Sequence, residues 1–187
     1  MKLAPVTLAA ALFAAPAIAG TAVPVSHFDQ ISLNGGGHVV VKHGAAQSVT
    51  LLKGDTQHTR FSIRHGNELV IDACAHDCMG RYDLEIEIVT PELNAAAIDG
   101  GGEIDVASGF PATDDFAVAI EGGGSIDTRA LSANKVSAAV DGGGDIQVNA
   151  RRELSAAVEG GGSITYLGNP EVSSAIDGGG EVSKARS

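Results

Sequence analysis

Residues 97–106 read AIDGGGEIDV, three glycines set inside an apolar, strand-like run. An interior glycine costs about 0.5–1 kcal/mol relative to alanine in regular structure, so one such run would be an oddity. The run recurs as AIEGGGSIDT (119–128), AVDGGGDIQV (139–148), AVEGGGSITY (157–166) and AIDGGGEVSK (175–184), with a weaker copy, SLNGGGHVVV, at 32–41. The first glycines of the strong copies are Gly100, Gly122, Gly142, Gly160 and Gly178, and their spacing is near-constant, shortening slightly along the chain. A period of roughly 20 residues is the mark of a solenoid.

Within each copy the apolar residues alternate, as in a strand. In VSAAVDGGGDIQV (136–148), Val136, Ala138 and Val140 share one face, and Ile146 and Val148 resume it after the glycines. The same parity runs through Phe116/Val118/Ile120, Leu154/Ala156/Val158 and Val172/Ser174/Ile176. Two strands per coil therefore meet at a Gly-Gly-Gly corner, where a sharp bend requires positive φ and stacked corners leave little room for side chains. The segments ASGFPATDD, RALSANK, NARRE and LGNPE form a variable third side, whose shortening accounts for the falling period. The expected fold is all-β: a parallel β-helix, or β-solenoid, of about 18–22 residues per coil, right-handed by the general crossover preference.

Residues 1–19, MKLAPVTLAAALFAAPAIA, read as a signal peptide: Lys2, an apolar region, then Ala17-Ile18-Ala19 as a cleavage signal. The apolar stretch is too short and too rich in alanine and proline for a membrane-spanning helix. Residues 20–187 make one domain, with irregular N-terminal coils and a cap over 20–95 and regular repeats over 96–187. The long gap between Gly35 and Gly100 leaves room for about three further coils of the same helix.

Without Lys2 the chain has 11 basic and 23 acidic residues. That balance argues against nucleic acid and anionic membrane surfaces as partners. Tryptophan is absent, so the core is built from Val, Ile, Leu and Ala.

The chain resembles a family of exported bacterial proteins, the putative auto-transporter adhesin, head GIN domain family. The resemblance rests on the repeated hydrophobic-acid-Gly-Gly-Gly-x-Ile unit, on TPELNAAAIDGGGEI (90–104) and on ITYLGNPEVSSAIDGGGEV (164–182). It extends from about Phe28 to the end of the chain. Three glycines here replace the common Gly-Ser-Gly form. The resemblance implies an exported β-helix with an adhesin-like role and supplies no catalytic residues.

Three features bear on function. Asp99, Glu121, Asp141, Glu159 and Asp177 each precede a corner and would stack about 4.8 Å apart on one outward line. The column reads as a solvated acidic ridge that opposes aggregation, or as a line of cation sites for Ca²⁺, whose preferred ligands are carboxylate oxygens. No other cofactor is expected. Cys74 and Cys78, in DACAHDC, read as a disulfide of an exported chain, with a metal site as the alternative. The outward residues Ala117/Ser137/Ser155/Ser173 and Ala119/Ala139/Ala157/Ala175 make a flat face suited to a partner or a second copy.

No nucleophile–base pair or phosphate loop stands out, and the acid column has no interleaved Arg or Lys. The expected function is a non-enzymatic, adhesin-like binding module, exported to the periplasm or outer surface, with a protein or glycan ligand at the cell envelope. The alternative is a β-helical carbohydrate-active enzyme.

Overall fold

The computed structural model describes residues 20–75 and 82–186, among which no α-helix forms. Seven strands precede the regular repeats: β1 (Thr21–Val23), β2 (Gln30–Gly35), β3 (His38–His43), β4 (Ser48–Lys53), β5 (Arg60–Arg64), β6 (Glu68–Asp72) and β7 (Glu85–Thr90). The repeats supply β8 (Ala95–Gly100), β9 (Glu103–Val106), β10 (Thr113–Gly122), β11 (Ser125–Gly142), β12 (Asp145–Gly160), β13 (Ser163–Gly168), β14 (Glu171–Gly178) and β15 (Glu181–Lys184).

Parallel pairing stacks these strands into two walls that meet at the glycine corners. The wall before the corner runs β6, β2, β8, β10, the second half of β11, the second half of β12, then β14. The wall after it runs β7, β3, β9, the first half of β11, the first half of β12, β13, then β15. Gly35, Gly100, Gly122, Gly142, Gly160 and Gly178 lie in register up one edge. The chain is a β-solenoid.

The hydrogen-bond ladder passes round the corner without a break. Gly123 N–H donates to the Gly100 carbonyl at 2.9 Å and Ser125 N–H to the Gly102 carbonyl at 3.0 Å, and later corners repeat both bonds. The first glycine of each corner has positive φ, 129° at Gly100 and 122° at Gly142, a region that a side chain makes costly.

The core follows the alternation. Ile98, Ile104, Ile120, Ile126, Val140, Ile146, Val158 and Ile164 are buried between the walls, one pair flanking each of the corners at Gly100, Gly122, Gly142 and Gly160. Each such side chain contributes roughly 1.5–3 kcal/mol by leaving water.

The structure corrects three expectations. First, the chain between Gly35 and Gly100 does not wind three successive coils. The β2–β3 coil lies between the β6–β7 and β8–β9 coils, so the first coil in the chain is the second in the stack. Beyond it, β5 pairs antiparallel to β6, β4 antiparallel to β7, and β1 antiparallel to β4, closing that end of the solenoid. Second, RALSANK and NARRE, expected as a variable side apart from the two strands of each coil, are themselves strand. They lie within β11 and β12, which continue from one wall to the next through local register shifts. Third, Val172, Ser174 and Ile176 hold the inward parity but are exposed, because β14 pairs with β12 alone and nothing lies above it among the described residues.

Candidate functional site

The outward face of the wall before the corner carries three parallel columns. Nearest the corner stand Asp99, Glu121, Asp141, Glu159 and Asp177, each paired in register with the next. Two residues back run Ala97, Ala119, Ala139, Ala157 and Ala175, and two further back Ala95, Ala117, Ser137, Ser155 and Ser173. Strand alternation alone places them there, since the residues between the columns carry the inward parity.

All five acids are exposed, and none makes a side-chain hydrogen bond or ion pair among the described residues. The column continues to Asn34 and Asp72, where the Asn34 amide donates to Asp72 Oδ1 at 2.7 Å. Beside it the alanine and serine columns form a shallow apolar depression lined by Ala97, Ala119, Ala139, Ala157, Ser137 and Ser155.

The wall after the corner is different. Three of its acids are paired with cations: Lys53 meets Glu85 at 2.8 Å, Lys42 meets Glu87, and Arg129 holds Asp127. Burial pushes the Asp127 carboxyl up, but hydrogen bonds and charge from Arg129 outweigh it and hold the group below its ordinary value. On the same face His38 Nε2 lies 2.9 Å from Asp105 Oδ2. His38, Glu103 and Asp105 place one ligand atom each within 4.8 Å of one another, the sole trio of its kind among the described residues.

The acid column is thus assembled as a line of pairs and not as a cluster of three. Cys74 sits in the turn after β6, whereas Cys78 lies outside the described residues, so their pairing remains a proposal. Sequence reasoning did not single out His38 as a site residue. Its signal was the weak glycine copy at 32–41, which puts His38 at the position Glu103 holds in the strong copy.

The family model for the putative auto-transporter adhesin, head GIN domain, matches residues 27–114 and 108–170. The chain belongs to this family. No curated protein matches the GIN-domain chain. Among solved structures it is similar to a putative adhesin from Bacteroides fragilis, at 19% identity and a TM-score of 0.56, covering 88% of this chain and 95% of that one. A putative adhesin from Parabacteroides distasonis is 17% identical over 89% and 96% of the two chains, with a TM-score of 0.46. A putative lipid binding protein from the same species is 16% identical over 89% and 96%, with a TM-score of 0.45. The first of these likenesses supports the solenoid fold. Among the described residues no helix is long and apolar enough to cross a membrane.

Proposed function

We propose that this GIN-domain chain is an adhesin-like module, exported to the cell envelope, that acts by binding and not by catalysis. The observation that carries the reading is the face before the corner: two columns of small residues bordered by a line of unpaired acids. Small side chains on a rigid, paired sheet let an extended partner approach closely over several coils. The acid line then offers contacts to cationic groups or to bridging Ca²⁺. Membership of a family described as adhesins supports a binding role at the cell surface.

The test is binding of the chain to arrays of envelope glycans and matrix proteins, with and without Ca²⁺. Saturable binding without bond cleavage, lost in Ala139→Arg and Ala157→Arg, is the expected result. Both alanines point outward, so these variants leave the core intact. Cleavage of a polysaccharide, or binding indifferent to both variants, would overturn the reading. Light scattering adds the second-copy case: a dimer that Ala139→Arg dissociates makes the same face the dimer interface.

A further inference from the structure

We propose that His38, Glu103 and Asp105 bind a divalent ion of the zinc class. The site lies on the opposite wall from the acid column and is independent of it. His38 opens β3, and Glu103 and Asp105 stand on the adjacent β9, with His38 directly opposite Glu103. All three point outward by strand parity, since Val39, next to His38, and Ile104, between Glu103 and Asp105, are buried.

The geometry suits the ion. Two donors about 2.1 Å from a tetrahedral centre stand roughly 3.4 Å apart. The His38–Asp105 separation is 2.9 Å and the whole trio lies within 4.8 Å, so small side-chain rotations bring the three donors onto one ion. Their backbones are already held: β3 is paired on both sides, to β7 and β9, and β9 to β3 and β11. One imidazole and two carboxylates select a borderline ion such as Zn²⁺ over Ca²⁺, which takes oxygen ligands. The His38 and Asp105 side chains are 37% and 44% exposed, leaving the remaining coordination positions to water or to a donor from a partner.

Charge points the same way. The nearest acids on the adjoining strands each have a cation of their own, Glu85 with Lys53, Glu87 with Lys42 and Asp127 with Arg129. Among the described residues the Glu103 side chain has no hydrogen bond or ion pair, and the one such partner of the Asp105 carboxylate is the His38 ring. Arg129 lies near enough to feel the Asp105 charge, but its guanidinium is held by Asp127. With His38 neutral, as a ligand must be, Glu103 and Asp105 stand together without a cation of their own. A divalent ion supplies it.

The experiment titrates the metal-free full chain with ZnCl₂ by calorimetry, in excess Ca²⁺ so that the acid column is already engaged. Wild type should take up one ion saturably, and His38→Gln and Glu103→Gln should each weaken uptake by about tenfold or more. In parallel, the ring ¹⁵N shifts of wild-type histidines report which imidazole takes the metal, whether or not a variant folds. A shift at His38 Nε2 on adding Zn²⁺ supports the site. No saturable uptake, uptake equal to wild type in both variants, or a shift confined to other histidines would overturn it.

Discussion

A methyl group on Gly142 would stand 2.4 Å from the Gly122 carbonyl oxygen, whereas one on Gly143 would meet nothing within 4 Å. Gly144 is again closed, by the Ile120 side chain at 2.6 Å and the Gly124 carbonyl at 2.9 Å. Each corner therefore constrains its first and third glycines and leaves the middle one open, which is why the Gly-Ser-Gly form of the motif fits the same backbone. Gly142→Ala should cost at least about 1–3 kcal/mol from backbone strain alone. Gly143→Ser, exposed and unstrained, should stay within about 0.5 kcal/mol of wild type. Paired urea melts check both, and equal losses would mean the corner needs all three glycines. The same scale holds the Asp127–Arg129 pair, whose Nε donates to Oδ1 at 3.0 Å. Asp127 is depressed in the fold, so its contribution is present above the ordinary carboxylate range and is lost as pH falls through the folded value. Arg129→Ala removes the guanidinium bonds and charge but keeps the residue-129 N–H bond to Asp127, so the Asp127 titration should move upward, as read by carboxyl ¹³C shifts. An unmoved midpoint would show that Arg129 does not hold the group.

At the scale of the strand, one parity has two energetic values depending on what lies above it. Val158 in β12 and Ile176 in β14 are register partners on the inward face. Val158 is 1% exposed and Ile176 46%. Val158→Ala opens a void between two paired coils and should cost roughly 2 kcal/mol. Ile176→Ala removes a side chain already half in water and should cost less than about 1 kcal/mol. Thermal or urea melts of the two variants measure the contrast; comparable losses would mean that β14 is covered in solution, for instance by another chain. Period-two alternation made the repeat strands and their inward residues legible in the sequence, because each side chain's face follows from its position alone. It carried no information on whether a further coil covers that face, so Val172 and Ile176 read as core.

The order of coils in the whole molecule was the least legible feature. Gly35 and Gly100 are register partners although far apart along the chain, and no local pattern distinguishes a coil added at the end of a stack from one inserted within it. The antiparallel strands were equally silent, since β4 and β5 alternate just as parallel strands do. The acid column was legible residue by residue, because it follows the motif. Its consequence belongs to the whole solenoid: five exposed carboxylates in register on a chain of formal net charge −11. Two unit charges about 5 Å apart in water repel by roughly 0.8 kcal/mol, and Asp141 has such a neighbour on each side, Glu121 and Glu159. Asp141→Asn should therefore raise stability at low salt by as much as about 1 kcal/mol, a gain that fades as the screening length falls to about 3 Å at 1 M salt. Millimolar Ca²⁺ reverses the sign if the column takes the ion. Occupancy at 100 times the dissociation constant stabilises wild type by about 2.7 kcal/mol, and Asp141→Asn, lacking a ligand, then falls below it. Thermal melts of the two chains, in EDTA at low and high salt and then in Ca²⁺, separate the outcomes. A crossing of the two melting temperatures assigns the column to cation binding. Parallel behaviour in EDTA and Ca²⁺ assigns it to repulsion alone, which keeps the stacked edge of one molecule away from the next.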